Sequence, residues 1–158
     1  EYFSRKCGTP TTIFRLNYAV ELRYGVLVDV ATKIWNNQPL DLTMGHANVI
    51  WQGDASAAAL RSLAVADAPP TVLNVTGPET ISLRTVALRF GELMGREPIL
   101  EGKEAETALL SNSAKAHALF GYPTVALDTV LQWIAWWLQN ELPTHNKPTH
   151  YETRDGKF

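Results

Sequence analysis

The sequence predicts an α/β protein that carries too little sheet of its own. Residues 11–16 (TTIFRL) and 71–76 (TVLNVT) are β-branched, apolar runs, the first bounded by Pro10 and Asn17, the second by Pro69-Pro70 and Gly77; both read as strands. Between and after them, apolar residues recur at spacings of three and four, which is the helical period. The resulting order is strand, helix, short strands, helix, strand, then three helices, an α/β arrangement. A buried strand such as TTIFRL needs neighbours that these 158 residues hardly supply. Most of its sheet is therefore expected to come from elsewhere.

Taken in order, residues 1–6 read as the last turns of a helix that Gly8 stops. TTIFRL follows as a buried strand. Residues 26–35 form a helix with Leu27, Val30, Ala31 and Ile34 on one face, ended by Asn36-Asn37-Gln38-Pro39. Leu40-Asp41-Leu42 and Val49-Ile50-Trp51 are short strand candidates. Asp54 is a suitable N-cap for a helix to residue 65, with Leu60, Leu63 and Ala64 inward. After the 71–76 strand and its Gly77-Pro78-Glu79-Thr80 turn, Ser82 caps a helix that buries Val86, Ala87, Phe90 and Met94 and closes at Gly95. Residues 98–101 suit a short strand, and residues 113–120 a short helix closed by Gly121. Asp128 caps a last helix carrying Val130, Leu131, Ile134, Trp137 and Leu138, stopped by Pro143. Trp133 and Trp136 widen its apolar stripe, which implies extra burial against a missing half or a partner chain, as in a homodimer.

Composition narrows the function classes. Hydrophobic residues make up 46% and charged residues 19%, as in ordinary globular domains. With a formal net charge of -2 and no cluster of Lys and Arg, a nucleic-acid partner is not expected. The single cysteine, Cys7, excludes an internal disulfide and argues for a reducing, cytoplasmic setting. No apolar run approaches the length of a membrane span, so no membrane partner is expected. The chain opens on Glu1 rather than Met, which suggests a fragment or a processed product.

Four segments carry a resemblance to a known family. Gly8-Thr9-Pro10 leads into Thr12-Ile13-Phe14-Arg15-Leu16-Asn17. Residues 48–55 (NVIWQGDA) end in an Asp that begins a helix. Val72-Leu73-Asn74-Val75-Thr76-Gly77 precedes Ile81-Ser82. Ser113-Ala114-Lys115 precedes Leu119-Phe120-Gly121-Tyr122-Pro123. In this order and spacing, over about residues 1 to 140, the chain resembles the extended short-chain dehydrogenase/reductases of the NAD-dependent epimerase/dehydratase group. The resemblance is to the C-terminal, substrate-binding portion of that Rossmann-type fold.

The resemblance implies a two-part enzyme. NAD or NADP would sit on a Gly-rich N-terminal half, and the C-terminal half would shape a pocket for a small substrate such as a sugar nucleotide. No Gly-x-x-Gly-x-x-Gly occurs here, so this chain alone is not expected to bind the cofactor. Residues 1–25 would be the last strand region of the Rossmann half and the entry to the substrate domain, 26–142 the substrate-binding portion, and 143–158 a polar tail. Leu16 and Asn17 fall where the family meets its cofactor, and Asn17, Tyr18, Arg23, His46 and Asn48 fall on the substrate side. Tyr18 takes the slot where the family carries its Asn, and Ala19-Val20 replaces the family's Gly-Pro. Either the strand end bulges so that Asn17 still points at the site, or Tyr18 serves instead.

Several residues have competing readings. Tyr2 and Lys6 match the family's Tyr-x-x-x-Lys pair, but Gly8 follows Lys6 too closely, and the match is a decoy on a surface helix end. No catalytic residue is expected in this chain. Arg23, Lys33, Arg61 and Arg84 are candidates for a substrate diphosphate, Arg23 first among them, each against the plainer role of a solvated Arg or Lys. Asp54 is a helix-start carboxylate before it is a catalyst. His145, His150, Glu152 and Asp155 are metal-competent, yet their spacing fits no defined site.

Overall fold

The computed structural model describes residues 1–153. In chain order the elements are α1 (Tyr2–Cys7), β1 (Thr12–Leu16), β2 (Ala19–Val20), α2 (Val26–Trp35), β3 (Leu40–Asp41), β4 (His46–Ala47), β5 (Ile50–Trp51), α3 (Gln52–Ser62), β6 (Thr71–Val75), β7 (Ile81–Ser82), α4 (Leu83–Met94), β8 (Leu100–Glu101), α5 (Ala114–Phe120) and α6 (Leu127–Gln139). They divide into two compact units. The first comprises Glu1–Ala19, Asn48–Glu79 and Ser111–Thr124; the second comprises Val20–Ala47, Thr80–Leu110 and the chain from Val125.

In the first unit, β1 and β6 pair in parallel, Thr12 opposite Thr71 through Leu16 opposite Val75. The long connection between them, which includes α3, gives the crossover that parallel pairing needs. Leu73 and Val75 of β6 pack with Ile50, Ala55 and Ala116, and Phe14, Ala58 and Phe120 close over them. The expected burial of β1 is corrected: Thr12, Ile13 and Phe14 are half-buried, and Arg15 and Leu16 are exposed. Among the described residues the only strand that pairs with β1 is β6, so one edge of it has no ladder and part of its surface no cover.

The inward face of α3 is also corrected. Leu60 and Leu63 are each 73% exposed. The covered face is Ala55, Ala58, Ser62 and, one turn on, Val65. Small residues let the helix lie close to the sheet, close enough for Thr12 Oγ1 to donate to the Ser62 carbonyl at 2.8 Å. Asp54 does not cap α3, since Trp51 holds that position. It sits in the first turn and accepts from the Thr124 amide and hydroxyl, at 3.0 and 2.7 Å.

The second unit is built on α2, α4 and α6, which pack together. Helix α2 buries Leu27, Val30, Ala31 and Ile34 as its period requires, and Val26 and Val28 besides. Helix α4 buries Val86, Ala87, Phe90 and Met94; Ser82 Oγ accepts from the Thr85 amide at its start, and Gly95 closes it at φ 63°. In α6, Val130, Leu131, Ile134 and Leu138 are buried, while Trp133 and Trp136 are 41% and 57% exposed. Asp128 stands in the first turn of α6 behind the true cap position, Ala126, and pairs with Arg89 at 2.8 Å. Residues 144–153 form a strap along α2. Thr149 donates from amide and hydroxyl to Asp29, Lys33 pairs with Glu152 at 2.9 Å, and Tyr151 is only 2% exposed.

Candidate functional site

The carboxyl ends of β1 and β6 converge in the first unit. The ladder runs one residue past β1, where the Asn17 amide donates to the Val75 carbonyl at 3.0 Å. Tyr18 then leaves extended geometry at φ 39°, a left-handed conformation that side chains seldom adopt. Its carbonyl accepts from the Ile50 amide at 3.1 Å, and the Gly77 amide donates to the Val49 carbonyl at 3.0 Å. Only glycine fits at 77, because a Cβ there would lie 2.2 Å from the Val49 oxygen. In open α/β sheets, ligands bind outside strand carboxyl ends of this kind.

Of the residues singled out from sequence, Leu16, Asn17, Tyr18 and Asn48 come together here. Leu16 is 47% exposed at the strand end. Asn17 keeps the strand register, so the chain departs from it at Tyr18. Asn48 is a buried staple: its Nδ2 donates to the Glu79 carbonyl and its Oδ1 accepts from the Ser111 amide, both at 2.9 Å. Arg23 and His46 belong to the second unit. Arg23 is exposed and pairs through Nε with Glu21 at 3.0 Å. His46 is half-buried in β4, opposite Ser82.

The other cations are already engaged. Lys33 holds Glu152, Arg61 donates to the Phe120 carbonyl, and Arg84 pairs with Glu104 at 2.7 Å. The Arg84 hydrogen bond, with a further one from Glu104's own backbone, holds the Glu104 carboxyl down to about 2, and the charge of His46 adds slightly. Lys6 Nζ donates to Tyr2 Oη at 2.7 Å, but Tyr2 is 62% exposed. Among the described residues no group of His, Cys, Asp and Glu is placed to hold a metal; Asp155 lies outside them.

Sequence reasoning missed a small pocket of about 90 Å³ beside α3 and α5, walled by Ile50, Ala58, Val75 and Ala116. At its margin, His117 Nε2 lies 3.0 Å from the Thr76 carbonyl, and the Tyr122 ring packs 5.0 Å from the imidazole. The only signal in the sequence was the Gly121-Tyr122-Pro123 turn.

Gly91 is buried on α4, where a Cβ would meet the Arg96 carbonyl at 2.6 Å, and Gly95 is a helix stop. Neither belongs to a phosphate-cradling loop. Among the described residues no helix is long and apolar enough to cross a membrane.

No family model and no curated protein matches the sequence. Solved structures do match. UDP-glucose 4-epimerase from Thermotoga maritima, solved with UDP-glucose, aligns over 89% of this chain and 49% of its own, at 17% identity and a TM-score of 0.71. UDP-glucose 4-epimerase from Thermus thermophilus, in complex with NAD, aligns over 89% and 50%, also at 17% identity and 0.71. UDP-glucuronic acid 4-epimerase from Bacillus cereus, in complex with NAD, aligns over 86% and 47%, at 16% identity and 0.70. The chain spans about half the length of these epimerases. It has the α/β, Rossmann-type fold that they show over that half, as the resemblance implied.

Proposed function

We propose that the chain is the substrate-side portion of an NAD(P)-dependent epimerase, dehydratase or reductase. Its substrate would be a sugar nucleotide or a related hydroxyl or carbonyl compound. The observation that carries this is the convergence of the β1 and β6 carboxyl ends, in a fold shared with UDP-sugar epimerases over half their length. In this reading Leu16 and Asn17 face the cofactor, and Asn17, Tyr18, Arg23, His46 and Asn48 serve the substrate side. The cofactor supplies hydride chemistry when bound, and its phosphates need a Gly-rich half that these residues do not encode. The share of this chain is to position the substrate and exclude water. Tyr2 and Lys6 take no catalytic part. The exposed thiol of Cys7 suits a cytoplasmic protein.

A second reading is a dinucleotide-sensing or partner-binding protein of the same fold. It is favoured by Ala19-Val20 in place of the family's Gly-Pro and by the left-handed Tyr18 beside it. One experiment separates the two. Tryptophan fluorescence follows titration of NAD into this chain alone and into the protein that joins it to a Gly-rich half. The expected result is saturable binding only in the joined protein, with turnover of a UDP-sugar that falls at least tenfold in Asn17→Ala, the loss of about 1.4 kcal/mol. Micromolar NAD binding by this chain alone would overturn the proposal. Binding without turnover in the joined protein selects the sensor.

A further inference from the structure

In the second unit, α2 and the strap enclose a cleft of about 390 Å³, within the range of small-molecule sites. Tyr24, just before α2, and Val28 and Thr32 of the helix recur at a spacing of four and make one wall. Lys147 and Pro148 of the strap belong to the other. Most of the exposed lining is apolar.

Charge decides which ligand suits it. Five lining residues carry a formal charge at pH 7: Arg23, Asp29, Lys33, Lys147 and Glu152. Three of them are neutralised within the protein, Lys33 and Glu152 by each other at 2.9 Å and Arg23 by Glu21 at 3.0 Å. Asp29 and Lys147 are not. Asp29 Oδ2 accepts from the amide and hydroxyl of Thr149, at 2.8 and 2.6 Å, but no cation among the described residues pairs with this carboxylate. Lys147 has no carboxylate partner among the described residues, and its ammonium lies 6.0 Å from the centre of the Tyr24 ring. The cleft therefore presents one uncompensated cation and one uncompensated anion. Tyr24, beneath the ammonium, and Asp29 are little more than one helical turn apart in the chain, so both charges border the same short stretch of the cleft.

We propose that this cleft binds a free α-amino acid with an apolar side chain. Its carboxylate meets Lys147, its ammonium meets the unengaged Oδ1 of Asp29, and its side chain lies against Tyr24, Val28 and Pro148. A simple anion would be repelled by Asp29, and a simple cation by Lys147. The zwitterion balances both charges and breaks no existing ion pair. The inference does not rest on the function proposed above, which is tested through the cofactor.

Amide resonances of the labelled chain would be followed while L-phenylalanine, N-acetyl-L-phenylalanine, L-phenylalaninamide or glycine is added. L-Phenylalanine is expected to shift Tyr24, Val28, Asp29 and Lys147 saturably, with a Kd on the order of 0.1–1 mM. The acetylated compound lacks the ammonium, the amide lacks the carboxylate, and glycine lacks the side chain, so each should bind at least roughly tenfold more weakly. Lys147→Gln, at an exposed position, should weaken L-phenylalanine roughly tenfold. Asp29→Asn, which keeps an oxygen for Thr149, should do the same, and an unmoved Thr149 amide resonance shows that the strap stays in place. The proposal is overturned if L-phenylalanine gives no saturable shifts, if glycine or either blocked compound binds as tightly, or if Lys147→Gln binds like the parent.

Discussion

Gly77 shows how little room the carboxyl end of β6 leaves. Its missing Cβ would stand 2.2 Å from the Val49 carbonyl oxygen, so Gly77→Ala must push the two segments apart. A cost of about 1–3 kcal/mol is expected in urea unfolding, as for an overpacked core site. Glu104 makes a different prediction. Its carboxyl sits at about 2 against an ordinary 4.5, chiefly because Arg84 hydrogen-bonds it. The folded value lies below the unfolded one. The pair's contribution is therefore full above pH 4.5 and lost as pH falls toward 2. In Arg84→Met, the Glu104 titration midpoint measured by NMR should rise toward 4.5, and stability should depend less on pH across that window. At this scale the sequence was partly legible. Asn17 and Tyr18 were placed at the strand end, but the left-handed turn at Tyr18 comes from its hydrogen bond with Ile50, far away in sequence.

Helix faces were legible where side-chain size and burial agree. In α2 and α4 the large apolar residues are the covered ones, and period alone found them. In α3 size misled, because the covered face is mostly alanine and serine while the leucines face outward. Leu60→Ser and Leu63→Ser should each change stability by less than about 0.5 kcal/mol. Leu73→Ala, fully buried on β6, should cost about 2–5 kcal/mol. Equal losses at all three positions in urea titrations would refute the observed face. The start of α4 was read correctly from Ser82, and Ser82→Ala should cost about 1 kcal/mol. Asp54 and Asp128 were misplaced by a few residues as caps. A carboxylate near a helix start looks the same in sequence whether it caps backbone or, as here, holds Thr124 or Arg89.

For the whole molecule, the strap gives the clearest test. Its composition reads as a polar tail, yet Tyr151 is buried and Thr149 and Glu152 are tied to α2. Ending the chain at Leu142 should cost about 2 kcal/mol, the worth of one buried aromatic side chain, and should lower the Tm in a thermal melt. An unchanged Tm would mean that the strap contributes nothing. The strap was illegible because its partners lie more than a hundred residues earlier in the chain.

The sequence by itself determined the α/β class, the strands 11–16 and 71–76, the periods of α2 and α4, and the lack of a Gly-rich phosphate loop. All of these follow from local period and steric preference. Only the tertiary structure decided that β1 pairs with β6, that α3 covers Ala55, Ala58 and Ser62 rather than its leucines, and that polar residues after Pro143 line a cleft. Those outcomes depend on contacts between residues far apart in the chain, and local preference carries no information about them.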